Sequence, residues 1–139
     1  MARILALDIG GKRTGVAVTD PLQIIANGLT TIEAPQLIPF LKDYLKKEQV
    51  ELFVVGWPTN WDDSATHGTA IVEKAIVALQ KNFPAIPIQK IDERYTSKMA
   101  KDSMLAMGLK KKDRRDKKLV DEIAATILLQ DYLRSVEGL

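Results

Sequence analysis

Residues 3–19 read RILALDIGGKRTGVAVT, and the architecture of the chain follows from this stretch. Its opening, residues 3–8, is apolar at nearly every position, which is typical of a strand buried on both faces. Strand character returns at residues 15–19, after a segment rich in glycine. Two apolar runs joined by a glycine-rich segment predict a β-hairpin with a tight turn.

Beyond the hairpin the chain alternates helical and strand patterns. The other predicted elements are a strand within Ile24–Ile32, a helix at 36–48, a strand at 51–56, a helix at 66–82, a strand at 86–91 and helices at 97–107 and 119–135. A leading meander followed by alternating helices and strands implies an α/β mixed sheet, antiparallel first and then parallel, with helices on both faces. With 139 residues, the chain is expected to form one domain spanning 1–139.

The composition of the chain excludes several kinds of site and partner. The chain has no cysteine, which excludes disulfides, thiolate zinc sites and cysteine nucleophiles. No apolar run approaches the roughly 20 residues that a membrane helix needs, so no membrane partner is expected. The net charge is only +2, so an affinity for nucleic acid has to come from how the charges are distributed.

Asp8 is the first candidate site residue, because it ends an apolar strand and precedes the glycine-rich turn. Ligands of α/β folds bind at such strand ends. A carboxylate there is costly to remove from water unless a positive group holds it. The alternative is that Asp8 only caps the turn.

Three further acidic residues lie at the ends of apolar elements. Asp92 and Glu93 follow the strand at 86–91, and alternation predicts that at most one of them points toward Asp8. Pattern alone leaves open which one, and Arg94 offers either of them a surface ion pair instead. Asp121 opens the last predicted helix, where it could simply complement the helix dipole.

Considered together, these carboxylates indicate a metal site. Converging carboxylates repel one another unless a cation lies between them. Hard divalent cations such as Mg²⁺ or Mn²⁺ prefer oxygen ligands, and a pair of them supports phosphodiester hydrolysis in a two-metal mechanism.

Basic residues supply the substrate side of this hypothesis. Lys12 and Arg13 follow Asp8 closely and could hold a phosphate, with help from backbone N–H groups near Gly10 and Gly11. The run at 110–118 leads into the last helix and is expected to contact nucleic acid through Lys110, Lys111, Lys112, Arg114 and Arg115. A solvated loop is the alternative for such a charge run.

The motifs, in order, resemble the YqgF/RuvX family. The matching blocks are Asp8 to Ala17 followed by Thr19-Asp20, then Gly56-Trp57-Pro58, the run Asp92 to Ser97, and Asp121 through Ala124-Ala125 to Ile127-Leu128. The similarity covers essentially the whole chain. It implies an RNase H-like fold and a cytoplasmic bacterial protein.

The resemblance also implies a function and a set of site residues. Members are described as Holliday-junction-resolvase-like and as nucleases that mature the 5′ end of pre-16S rRNA, so rRNA precursor, branched DNA and the ribosome are the expected partners. By resemblance the acidic site falls on Asp8, Glu93 and Asp121, and Arg94 and Thr96 support the site or the substrate. Candidates for a fourth carboxylate are Asp20, Asp92 and Glu122.

Three alternatives remain open at this point. The chain could be a resolvase of DNA junctions, a non-catalytic RNA-binding factor, or an ATP-binding module of the actin and sugar-kinase type. ATP-binding modules of that type pair two domains, whereas 139 residues supply one. A symmetric junction cutter would need a dimer. The sequence shows no clear apolar stripe for one, so we expect a monomer or a weak homodimer.

Overall fold

The computed structural model describes residues 2–57, 67–92 and 117–137. The predicted helix at 97–107 and most of the basic run at 110–118 lie outside the described residues.

The observed elements follow the predicted order. They are β1 (Arg3–Ile9), β2 (Arg13–Thr19), β3 (Ala26–Glu33), a 3₁₀ turn (Ala34–Gln36), α1 (Leu37–Lys47), β4 (Val50–Trp57), α2 (His67–Asn82), β5 (Ile88–Asp92) and α3 (Lys117–Glu137). Pro39 lies in the first turn of α1, where the missing N–H has no helical partner to lose. No helix among the described residues is long and apolar enough to cross a membrane.

The five strands form one mixed sheet in the order β3-β2-β1-β4-β5. Strand β1 pairs antiparallel with β2, and β2 pairs antiparallel with β3. The pairings of β1 with β4 and of β4 with β5 are parallel. The predicted mixed sheet is therefore confirmed, and β1 lies at its centre, which explains why its sequence is apolar on both faces.

Helices cover both faces of the sheet, as predicted. On one face, called here the α1/α2 face, Leu5, Leu7 and Phe53 are fully buried against the two helices that give the face its name. On the opposite face, called the α3 face, Ala6, Ala17 and Val54 pack against α3. The contribution of α3 to this layer consists of Ala125, Leu128, Leu129 and Leu133.

The two layers differ in the size of the side chains that the hairpin contributes. Toward α1 and α2 the hairpin presents leucine, isoleucine and valine, whereas toward α3 its residues after Ile4 include the small Ala6, Gly15 and Ala17. Gly28 of β3 continues this line of small residues, because it pairs with Ala17. Small residues allow α3 to lie close to the sheet, and that closeness positions the site described next.

Candidate functional site

Asp8 projects from the α3 face of the central strand. Side chains alternate along a strand, and Ile4 and Ala6 belong to the cluster beneath α3, so Asp8 is next in the same row. It lies directly opposite Gly15 of β2 in the antiparallel register. Its side chain is partly buried. The carboxylate therefore points from the carboxyl end of β1 toward the layer that α3 occupies.

Asp121 reaches the same place from α3. A methyl group added at Gly15 would overlap the carbonyl group of Asp121, so the helix backbone rests directly on this glycine. Because Gly15 is the register partner of Asp8, the contact brings Asp121 beside the end of β1. Two carboxylates that are far apart in the sequence thus lie near each other at the carboxyl end of β1, where β1 pairs with β2.

The dipole explanation for Asp121 is wrong for this helix. Helix α3 begins at Lys117, two residues before the predicted start, and no acidic residue lies in its first turn. Dipole effects fall off within that turn. Asp121 instead accepts a hydrogen bond from a charged side chain of β2.

That side chain is Arg13. Its Nε donates to Oδ2 of Asp121 at 2.9 Å, and the two side chains are 24% and 27% exposed. Arg13 belongs to the same row of β2 as Gly15 and Ala17, so its stem also lies on the α3 face. From the sequence Arg13 was expected to hold a phosphate, and in the structure its described partner is a site carboxylate.

A pocket of about 380 Å³ opens at this edge of the sheet. It is lined by Asp8, Gly10, Gly11, Lys12, Arg13 and Asp121. The glycines and Lys12 belong to the turn of the hairpin and are exposed. The Gly10 N–H donates to the carbonyl oxygen of Arg13 at 2.9 Å, so this one of the N–H groups expected to help hold a phosphate closes the turn instead.

The donor set of this pocket fits a hard divalent cation. Asp8 and Asp121 supply carboxylate oxygens, the ligands that Mg²⁺ and Mn²⁺ prefer. The hydrogen bond from Arg13 shows that the position of Asp121 already attracts positive charge. In the described parts of the chain there is no group of three acidic or histidine side chains placed to hold a metal. Glu93, the third predicted ligand, lies outside the described residues, as do Arg94 and Thr96.

The candidates for a fourth carboxylate lie elsewhere. Asp20 accepts backbone N–H groups from the turn between β2 and β3, hydrogen bonds that lower the pKa of its carboxyl group. That turn is at the opposite end of β1 from Asp8. Asp92 pairs in register with Trp57, which packs on the α1/α2 face. The side chain of Glu122 lies against Gly28 on β3.

Trp57, at the end of β4, has a packing role in the structure. It lies partly buried against the core of the α1/α2 face. The Lys90 ammonium sits 4.1 Å from the centre of its ring, a cation–π contact. The second tryptophan of the chain, Trp61, lies outside the described residues.

The sequence reading missed the function of the glycines in the sheet. Gly15 was predicted only to begin the second strand of the hairpin, but its effect is to let α3 approach β2 until the two carboxylates share a pocket. A signal was present, since Gly15 and Ala17 form a row of small residues in a strand whose other row is Val16 and Val18.

A sheet of this order, with helices on both faces and an acidic pocket at the carboxyl end of its central strand, defines an RNase H-like domain. Two solved structures of T. thermophilus RuvC share the fold. One, in complex with a Holliday junction substrate, has a TM-score of 0.56 and 16% identity, and the match covers 99% of this chain and 97% of that one. The other RuvC structure has the same TM-score and 14% identity, with 98% and 96% covered.

Residues 2–135 match the family described as "RuvX: Holliday junction resolvase". A protein of Christiangramia forsetii named "Putative pre-16S rRNA nuclease" is 56% identical over 133 residues, 96% of this chain and 98% of its own length. A protein of Bacteroides thetaiotaomicron with the same name is 50% identical over 135 residues, covering 97% and 98%. The chain therefore belongs to the RuvX family, and the resemblance seen in its motifs is confirmed.

Proposed function

We propose that this chain is a divalent-metal-dependent endonuclease that hydrolyses phosphodiester bonds of structured nucleic acid. The observation that carries the proposal is the pocket in which Asp8 and Asp121, distant in sequence, meet beside Lys12 and Arg13. Carboxylates that hold cations, next to basic groups that hold phosphates, are the components that phosphodiester hydrolysis requires.

Glu93 is proposed as the third carboxylate. Ile91 packs on the α3 face, whereas Asp92 is paired with Trp57 of the other face. Two-residue alternation predicts that the position after Asp92 returns to the side of Ile91, which is also the side of Asp8. This supports Glu93 over Asp92 from the register of β5, independently of the family resemblance.

The carboxylates and the basic residues have separate tasks in this proposal. Asp8, Glu93 and Asp121 would hold Mg²⁺ or Mn²⁺, which supplies an activated water and stabilises charge on the leaving oxygen. Lys12 is exposed at the turn and binds a substrate phosphate at the mouth of the pocket. Arg94 and Thr96 position the substrate next to Glu93.

The proposed substrate is the 5′ region of pre-16S rRNA, during ribosome assembly in the cytoplasm. Relatives 50% and 56% identical over nearly their whole length have the name "Putative pre-16S rRNA nuclease", which supports this RNA as the substrate, and the choice of its 5′ region rests on the family resemblance. The second candidate is resolution of Holliday junctions, which the family description and the RuvC neighbour both favour.

A cleavage assay separates these functions. Purified protein is incubated with an rRNA precursor that carries the 5′ extension or with a four-way DNA junction, in Mg²⁺ and in Mn²⁺. We expect metal-dependent cleavage of the RNA. Faster cleavage of the junction would favour the resolvase, and binding of RNA without cleavage in either metal would support a non-catalytic factor. Heat of ATP binding measured by calorimetry would favour the ATP-binding module.

The basic run gives a prediction about salt. Replacing Lys110, Lys111 and Lys112 together with glutamine is expected to weaken RNA binding and to flatten its salt dependence. Each lost phosphate contact lowers the slope of log K against log[salt] by about 0.7 for single strands. Fluorescence anisotropy across a salt series measures this slope.

The matched control changes the same number of charges on helix α1. Lys42, Lys46 and Lys47 are exposed on α1, which packs on the α1/α2 face. Their replacement with glutamine should leave the slope close to that of the parent. Equal slopes for the two triple variants would mean that the run at 110–118 does not contact the nucleic acid.

A further inference from the structure

The ion pair between Arg13 and Asp121 occupies one of the two carboxylate oxygens through which Asp121 could bind a cation. Oδ2 of Asp121 accepts the hydrogen bond from Nε of Arg13 at 2.9 Å, and about three quarters of each side chain is shielded from solvent. A cation that binds Asp121 through this oxygen has to displace the guanidinium. Arg13 and the cation therefore compete for one carboxylate.

We propose that Arg13 is a positioning residue that holds Asp121 until a divalent cation displaces it, and that the displaced guanidinium then binds the phosphate of the nucleic acid. The inference rests on the cation requirement of the proposed function. Arg13 then has two successive partners, first a carboxylate of the protein and afterwards a phosphate of the substrate.

The location of Arg13 suits this exchange. It begins β2 directly after Lys12, and both residues line the pocket together with the two carboxylates. Two acidic and two basic side chains balance in charge, so the described lining is neutral without a cation. A divalent cation makes the lining positive, and a guanidinium released from Asp121 stays in the same pocket. Cation binding and phosphate binding should therefore strengthen each other.

A Mn²⁺ titration of the full chain, followed by electron paramagnetic resonance, tests the competition without any need for cleavage. Arg13→Gln is expected to raise the Mn²⁺ affinity by about fivefold, since an exposed or partly exposed ion pair is worth up to about 1 kcal/mol. Arg13→Lys keeps a competing cation and should stay within about twofold of the parent. Lys12→Gln removes the same charge from the same pocket and should also change the affinity by less than about twofold, because its described contacts do not include Asp121.

Thermal unfolding provides a readout that a purely structural role would not move in this way. Without metal, Arg13→Gln should unfold at a lower temperature than the parent, because α3 loses a contact with β2. In saturating Mn²⁺ the difference should shrink, since the cation then takes over Asp121 in both proteins. An equal difference in both conditions would overturn the proposal.

The outcomes separate the inference from the proposed function. If the parent binds Mn²⁺ and Arg13→Gln binds it no more tightly, the exchange is overturned and the nuclease proposal stands. If Lys12→Gln raises the affinity as much as Arg13→Gln, the effect is one of general charge and the exchange is likewise overturned. If neither the parent nor Arg13→Gln binds Mn²⁺, both the inference and the metal-dependent nuclease are wrong.

Discussion

Replacing Asp8 with asparagine is expected to lower the rate of phosphodiester cleavage by about a thousandfold while the protein stays folded. A bound divalent cation contributes several kcal/mol of charge stabilisation in the transition state, and a loss of about 4 kcal/mol corresponds to that factor. Asparagine has nearly the same shape as aspartate but no charge, so packing at the end of β1 should change little. Single-turnover cleavage of the rRNA precursor in Mg²⁺ measures the effect.

The control for Asp8 is an aspartate at another strand end. Asp92→Asn removes the same charge at the end of β5, where the side chain is exposed and paired in register with Trp57 of the α1/α2 face. We expect this variant to cleave as the parent does. Cleavage by a purified Asp8→Asn protein at the rate of the parent would indicate a contaminating nuclease and would contradict the assignment of the site.

Replacing Gly15 with alanine is expected to have the largest effect on stability among the glycine variants of the hairpin and its neighbour. The added methyl would overlap the backbone carbonyl of Asp121, and a helix backbone cannot move aside as a side chain does. Forcing a group into a packed layer costs about 1–3 kcal/mol, and the upper end is expected here. Displacing α3 also moves Asp121 away from Asp8, so cleavage should fall more than stability alone explains.

Two other glycines supply matched controls. A methyl at Gly28 would lie 2.6 Å from Oε1 of Glu122, the far end of a flexible side chain that can move. A methyl at Gly11 would lie 3.5 Å from Cδ1 of Ile71, an ordinary contact. Denaturant unfolding should rank Gly15→Ala as the least stable of the three variants. If Gly15→Ala were as stable as Gly11→Ala, α3 would not rest on β2 as the structure describes.

The sequence by itself determined the mixed sheet and the first residue of the candidate site, Asp8. The apolar row of β1, the glycine-rich turn and the alternation in β2 predicted the hairpin that the structure shows. These features are local, because the spacing of apolar residues fixes which face of a strand is buried. Asp8 was found for the same reason, since its place at the end of a buried strand is visible in the chain itself. Asp121 and the pair of Asp92 and Glu93 were candidates for a similar reason, and only the choice of Glu93 over Asp92 came from the family resemblance.

Only the tertiary structure decided what Asp121 and Arg13 do. Periodicity predicts which face of one element is buried. It does not predict the distance between two packed elements or which residues of one lie opposite which residues of the other. The contact between α3 and Gly15 placed Asp121 beside β1 and against Arg13. That approach is set by van der Waals contact over the whole layer of small residues between α3 and the sheet, a sum that no single motif contains.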